Sequence, residues 1–140
     1  MISIDTSTDF GARIARQLDD ELVVWLTTIS KSGTPEPTPV WYLWSNGELL
    51  ISSQPDKAKL RNIAARPRIA VNFNATRHGG EVGVLTGAAV ISDQPLSREE
   101  RTAYDKKYQE HISNLGMTTD QFHQEYSVVI RLNPEKLRGF

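Results

Sequence analysis

The chain has 140 residues, 39% of them hydrophobic and 24% charged, with a formal net charge of −1 and no cysteine. This composition predicts one folded domain over residues 1–140, and it excludes a disulfide scaffold, a cysteine nucleophile and a global positive field for nucleic acid. No apolar run has the length of a membrane span and Met1 to Ser7 carry no basic region leading into one, so the expectation is a cytoplasmic protein with neither membrane nor nucleic acid as partner.

Thr6, Ser7 and Thr8 offer N-caps to a first helix within residues 6–20, where Phe10, Ile14 and Leu18 recur every four residues. Leu22 to Ile29 is a continuous β-prone run, read as a strand buried on both faces, and Ser30 to Thr34 turn it. From Pro35 to Trp44 the chain reads as one further strand. Pro35, Pro37 and Pro39 cannot donate to a ladder, so this strand belongs at an open edge where neighbouring backbone groups can meet a ligand. Trp41, Tyr42 and Trp44 follow, either as a surface for a planar ring or as packing for core and subunit contact. Asn46-Gly47 is a hairpin signal leading into a strand over Glu48 to Ser53.

That strand delivers Ser52 and Ser53 to the most informative stretch of the chain. Asp56 is a candidate N-cap, Leu60, Ile63 and Ala64 form an apolar stripe, and Pro67 ends a short helix near Ala65. Lys57 and Lys59 fall in its first turn, at the positive pole of the helix dipole, with Arg61 one turn on. Cations there are stabilised by an anion, and a phosphate would meet unpaired amides and ammonium groups together. Residues 54–68 hold five Lys/Arg against one acid, so the positive charge is local and suits a small anionic ligand.

A strand over Arg68 to Asn74, a loop carrying Arg77, His78 and a Gly-Gly pair, and a long strand over Val82 to Ser92 come next. Gly83 and Gly87 in that strand signal bending or close backbone approach. Ser97 and Glu100 have capping-box spacing for a helix to about Glu110. A second helix is expected over Thr119 to Glu125, then a last strand over Tyr126 to Leu132 that Asn133-Pro134 ends. The pattern predicts a mainly β fold with helices, a six-stranded antiparallel barrel. His78, His111 and His123 lack ligand spacing, so no metal is expected, and no nucleophile motif, Walker loop or Rossmann fingerprint is present. Any chemistry is then expected to come from a bound organic cofactor.

Several stretches together carry a family resemblance: Leu26 to Ile29, Gly33 to Trp44, Ser53-Gln54-Pro55 with Lys57 to Asn62, Pro67 to Val71, Gly87 to Ala89, and Leu137-Arg138-Gly139-Phe140. The chain resembles the pyridoxamine 5′-phosphate oxidase-like split β-barrel proteins, and among them the group B flavin/deazaflavin oxidoreductases that use coenzyme F420. The resemblance implies a homodimer with a cofactor in each cleft. It implies that the ring lies against Thr38, Pro39, Val40 and Trp41. It places the phosphate at Lys57, Lys59 and Arg61, beside Ser52, Ser53 and Asn62, with Ala58 and Leu60 also in the cofactor-binding stretch. The implied reaction is hydride transfer to a small electron-poor acceptor, with no catalytic side chain assigned. The ending Leu137-Arg138-Gly139-Phe140 lacks the Arg-x-His element of oxidases acting on pyridoxamine phosphate itself. An FMN-dependent reductase and a non-catalytic flavin or tetrapyrrole binding module are the alternatives.

Overall fold

A computed structural model describes residues 2–140. Helix α1 (Asp9–Asp20) is capped by Thr8, whose hydroxyl accepts from the Gly11 amide, and it buries Ile14 and Leu18. Seven strands form one antiparallel sheet: β1 (Val24–Ile29), β2 (Pro35–Val40), β3 (Leu43–Ser45), β4 (Glu48–Ser53), β5 (Arg68–Asn72), β6 (Gly83–Ile91) and β7 (Val128–Gly139). Their order is β2-β1-β5-β6-β7-β4-β3. Asn46 and Gly47 both have positive φ, 50° and 77°, as a type I′ turn between β3 and β4 requires.

The seventh strand comes from dividing the expected strand over Pro35 to Trp44. Its first part, β2, forms one edge of the sheet and its second part, β3, forms the other. Only Trp41 and Tyr42 separate them, so Val40 and Leu43 are at most about 11 Å apart. The two edges must therefore approach, and the sheet curls into a half-barrel. Long-range contacts from α3 (Arg98–Asn114) fix this corner. The Tyr42 amide donates to the Tyr108 hydroxyl at 2.9 Å, Tyr108 donates to the Leu22 carbonyl at 2.7 Å, and the Lys107 ammonium donates to the Tyr42 carbonyl at 3.0 Å. Prolines 35, 37 and 39 occupy alternate positions of β2, which puts every missing donor on the side away from β1.

The barrel interior holds Ile14, Leu18, Leu26, Tyr42, Leu49, Ile51, Val71, Leu85 and Ile130 among its buried side chains. A second cluster, with Leu43, Leu50, Tyr104, Tyr108, Ile112 and Phe122, packs α3 and α4 (Thr119–Glu125) outside β3 and β4. The strand buried on both faces is thus β4, where Leu49, Leu50 and Ile51 are all inaccessible. In β1, buried and partly exposed residues alternate.

The expected capping box of Ser97 with Glu100 forms, and Thr118 with Gln121 makes a second one at the start of α4. Glu100 also takes a two-pronged contact from Arg131 of β7, at 2.9 and 2.8 Å, which holds its carboxyl at about 2, well below the carboxylate range. Asp105 joins the helices: it contacts Arg101 at 3.4 Å on its own helix and the His123 ring on α4 at 2.6 Å.

Asn133-Pro134 does not end the last strand. β7 continues to Gly139 along β6, with a bulge at Glu135 where Thr86 faces Lys136 and Gly87 faces Pro134. A bulge accommodates proline because it interrupts the ladder. No described helix is long and apolar enough to cross a membrane.

Candidate functional site

β4 ends at Ser53 and the chain turns through Gln54 to Asp56 into α2 (Ala58–Ala65). Asp56 adopts a left-handed backbone, φ 62°, in this turn, and Lys57 occupies the cap position. No side chain caps the helix and its first turn carries no acid, so the expected Asp56 cap is absent. Lys57 is exposed and Lys59 half-buried. Burial and then the Lys57 charge push the Lys59 ammonium below its ordinary pKa. Among the described residues neither ammonium enters a salt bridge. The helix start therefore combines uncapped amides, a positive dipole end and two cations without a counter-charge.

This terminus opens onto a cleft of about 220 Å³. One wall is the end of β2 and the corner after it, Pro39, Val40 and Trp41; the floor is Ser52, Ser53 and Gln54; Lys57 and Lys59 close one end. Ser52 shares a face of β4 with Leu50 and so looks toward α3. The opposite wall comes from the α3–α4 layer, through Tyr104, Leu115, Phe122 and Tyr126. Trp41 is held flat by that layer, stacked on Tyr108 at 4.6 Å and 5° and on Phe122 at 5.6 Å. Gln54 donates to Glu125 at 2.8 Å, tying the floor to α4.

Of the residues selected from sequence, Pro39, Val40, Trp41, Ser52, Ser53, Lys57 and Lys59 meet in this cleft. Thr38, Ala58, Leu60, Arg61 and Asn62 lie off its wall. Thr38 pairs with Leu26, Ala58 is exposed, and Leu60 packs on the barrel core. Arg61 reaches back to the Asp56 carbonyl at 3.2 Å on the outer surface. Asn62 is buried against the sheet and donates to Thr28 at 3.0 Å and Glu36 at 2.8 Å. Successive residues on an eight-residue helix point in different directions, so a basic run cannot all converge on one ligand.

The aromatic wall was not singled out from sequence. Tyr104 with Tyr108, and Phe122 with Tyr126, sit four apart on helices and could have been flagged as stripes, but spacing does not say which sheet face they cover.

One atom of that wall is unusual. Tyr104 is 0% exposed, yet its hydroxyl has no hydrogen-bond partner. Burial holds the phenol protonated, its pKa pushed far up; Ser52 is close enough to oppose that shift, but no hydrogen bond of acceptable geometry joins the two. A buried donor without an acceptor fits a cleft that takes a ligand with polar atoms.

The pyridoxamine 5′-phosphate oxidase family model matches residues 10–140. The chain belongs to this family. Solved structures show the same split-barrel fold. HutZ, described as a heme storage protein, from Vibrio cholerae superposes with a TM-score of 0.68 at 14% identity, covering 94% of this chain and 95% of that one. The conserved hypothetical protein Rv2991 from Mycobacterium tuberculosis gives 0.68 at 20% identity, over 91% and 81% of the two chains. An F420 reductase gives 0.59 at 20% identity, over 88% and 94%. Comparison with curated proteins finds no match.

Proposed function

We propose that this family member is an oxidoreductase that uses reduced coenzyme F420 to deliver a hydride to a small electron-poor acceptor. The observation that carries the reading is the uncapped, doubly cationic start of α2 opening directly onto an aromatic cleft beside a proline-rich edge strand. Lys57, Lys59 and the first amides of α2 would hold the cofactor's phosphate, and Ser52 and Ser53 line the path from there to the ring. Trp41, fixed by its stack on Tyr108, and the outward backbone of β2 at Pro39 present a flat apolar face with free carbonyls to the ring. Bound in reduced form, the cofactor supplies the hydride, and the chain's residues orient two flat molecules against each other and exclude water. No cleft side chain is assigned as a general acid or base.

The likeness in fold to an F420 reductase supports this reading. The cleft lining offers tyrosines but no histidine, which favours a deazaflavin over a histidine-ligated tetrapyrrole. At about 220 Å³ the cleft is smaller than the roughly 300–1,000 Å³ typical of small-molecule sites. We therefore also propose that a second copy of the chain completes it in a homodimer.

The reading is tested by mixing reduced F420 anaerobically with a panel of quinones, enones and nitro compounds, with and without the protein. Acceleration of F420 oxidation with at least one acceptor is the expected result. Tight F420 binding with no acceleration across the panel would leave a binding module in place of an enzyme.

A further inference from the structure

The Tyr104 hydroxyl is the one fully buried side-chain polar atom among the described residues that lacks a partner. It projects from α3 in the wall of the cleft, with Ser52 of the cleft floor beside it. Its surroundings are aromatic: Tyr108 lies at 4.9 Å, Phe122 at 5.9 Å and the His123 ring at 5.5 Å between centroids. Had the position served packing alone, phenylalanine would fill the same ring space without the desolvated hydroxyl. The α3–α4 wall of this cleft carries no charged side chain, and both cleft lysines come from the start of α2. A neutral oxygen needs only a single donor.

We propose that Tyr104 is a recognition residue whose hydroxyl donates a hydrogen bond to a neutral carbonyl-type oxygen of a planar conjugated ligand in the cleft. The inference rests on the cleft reading above and narrows the ligand to quinones, conjugated ketones and compounds of that chemistry. Two molecules could bring the oxygen, the hydride acceptor or the ring of the cofactor itself, and both are planar. Ser52, on the same face of β4 as the helical layer, borders the same spot and offers the oxygen a second hydroxyl.

The test compares wild type with Tyr104→Phe, a change that keeps the ring stacks. Menadione and 2-methylnaphthalene, which share the fused rings and differ in the carbonyl oxygens, serve as probes by equilibrium dialysis, and F420 is titrated separately by its fluorescence. Wild type is expected to prefer menadione, and Tyr104→Phe to lose roughly three- to tenfold of that affinity with 2-methylnaphthalene unchanged. An equal loss confined to F420 also supports the hydrogen bond and assigns the oxygen to the cofactor. The free variant is expected to melt about 3 °C higher, because an unpaired buried hydroxyl has gone. Unchanged affinity for both menadione and F420, or a lower melting temperature showing that the hydroxyl is satisfied within the protein, overturns the proposal. Failure of wild type to bind F420 counts against the cofactor reading alone, since the menadione comparison stands without it.

Discussion

Lys59→Ala is expected to weaken F420 binding by about ten- to a hundredfold, the range for losing a hydrogen-bonded charge partner of a phosphate. Lys59 is half-buried, and its ammonium is disfavoured by burial and by Lys57 when no anion is present. The same substitution should therefore leave the free protein as stable as before or slightly more so. That combination, affinity lost while stability is kept, separates an anion-binding lysine from one that merely packs. Fluorescence titration and thermal unfolding of the same preparation check it. A variant that melts early and binds F420 normally would return Lys59 to a structural role and leave the start of α2 without an assigned ligand.

The second large effect concerns the barrel itself. A β-carbon added at Gly87 would lie 2.2 Å from the Asn133 carbonyl oxygen and 3.0 Å from the Pro134 α-carbon. Both are backbone atoms, so no side-chain rotation relieves the clash. Gly87→Ala is expected to cost about 3 kcal/mol, at the upper end for overpacking, against a total stability of roughly 5–15 kcal/mol. The melting temperature should fall by on the order of 10 °C. Urea unfolding of the variant measures the loss. A cost under about 0.5 kcal/mol would mean that β7 does not run past Pro134 against β6.

These two sites show what local sequence reveals and what it hides. Gly87 was legible as a place of close approach, yet Asn133-Pro134 looked like a terminator because the bulge that accommodates the proline depends on the partner strand. The prolines of β2 announced an edge correctly. The break at Trp41-Tyr42 was not visible, because it is imposed by Tyr108 and Lys107, some 65 residues away in sequence. The capping box at Ser97 and the hairpin at Asn46-Gly47 depend on neighbours alone, and they formed as read.

The cleft divides in the same way. Lys57, Lys59, Ser52 and Ser53 lie on adjacent local elements, so their convergence follows from one strand running into one helix. Asp56 failed as a cap because the turn drew it into a left-handed conformation. Tyr104, Leu115, Phe122 and Tyr126 reach the cleft only when α3 and α4 settle on β3 and β4, a tertiary event that periodicity does not encode.

Parallel fluorescence titration of the purified protein with F420 and with FMN tests the central claim most directly. Saturable binding of F420, tighter than that of FMN, is the result expected of this cleft. Preference for FMN, or binding of neither, would contradict it.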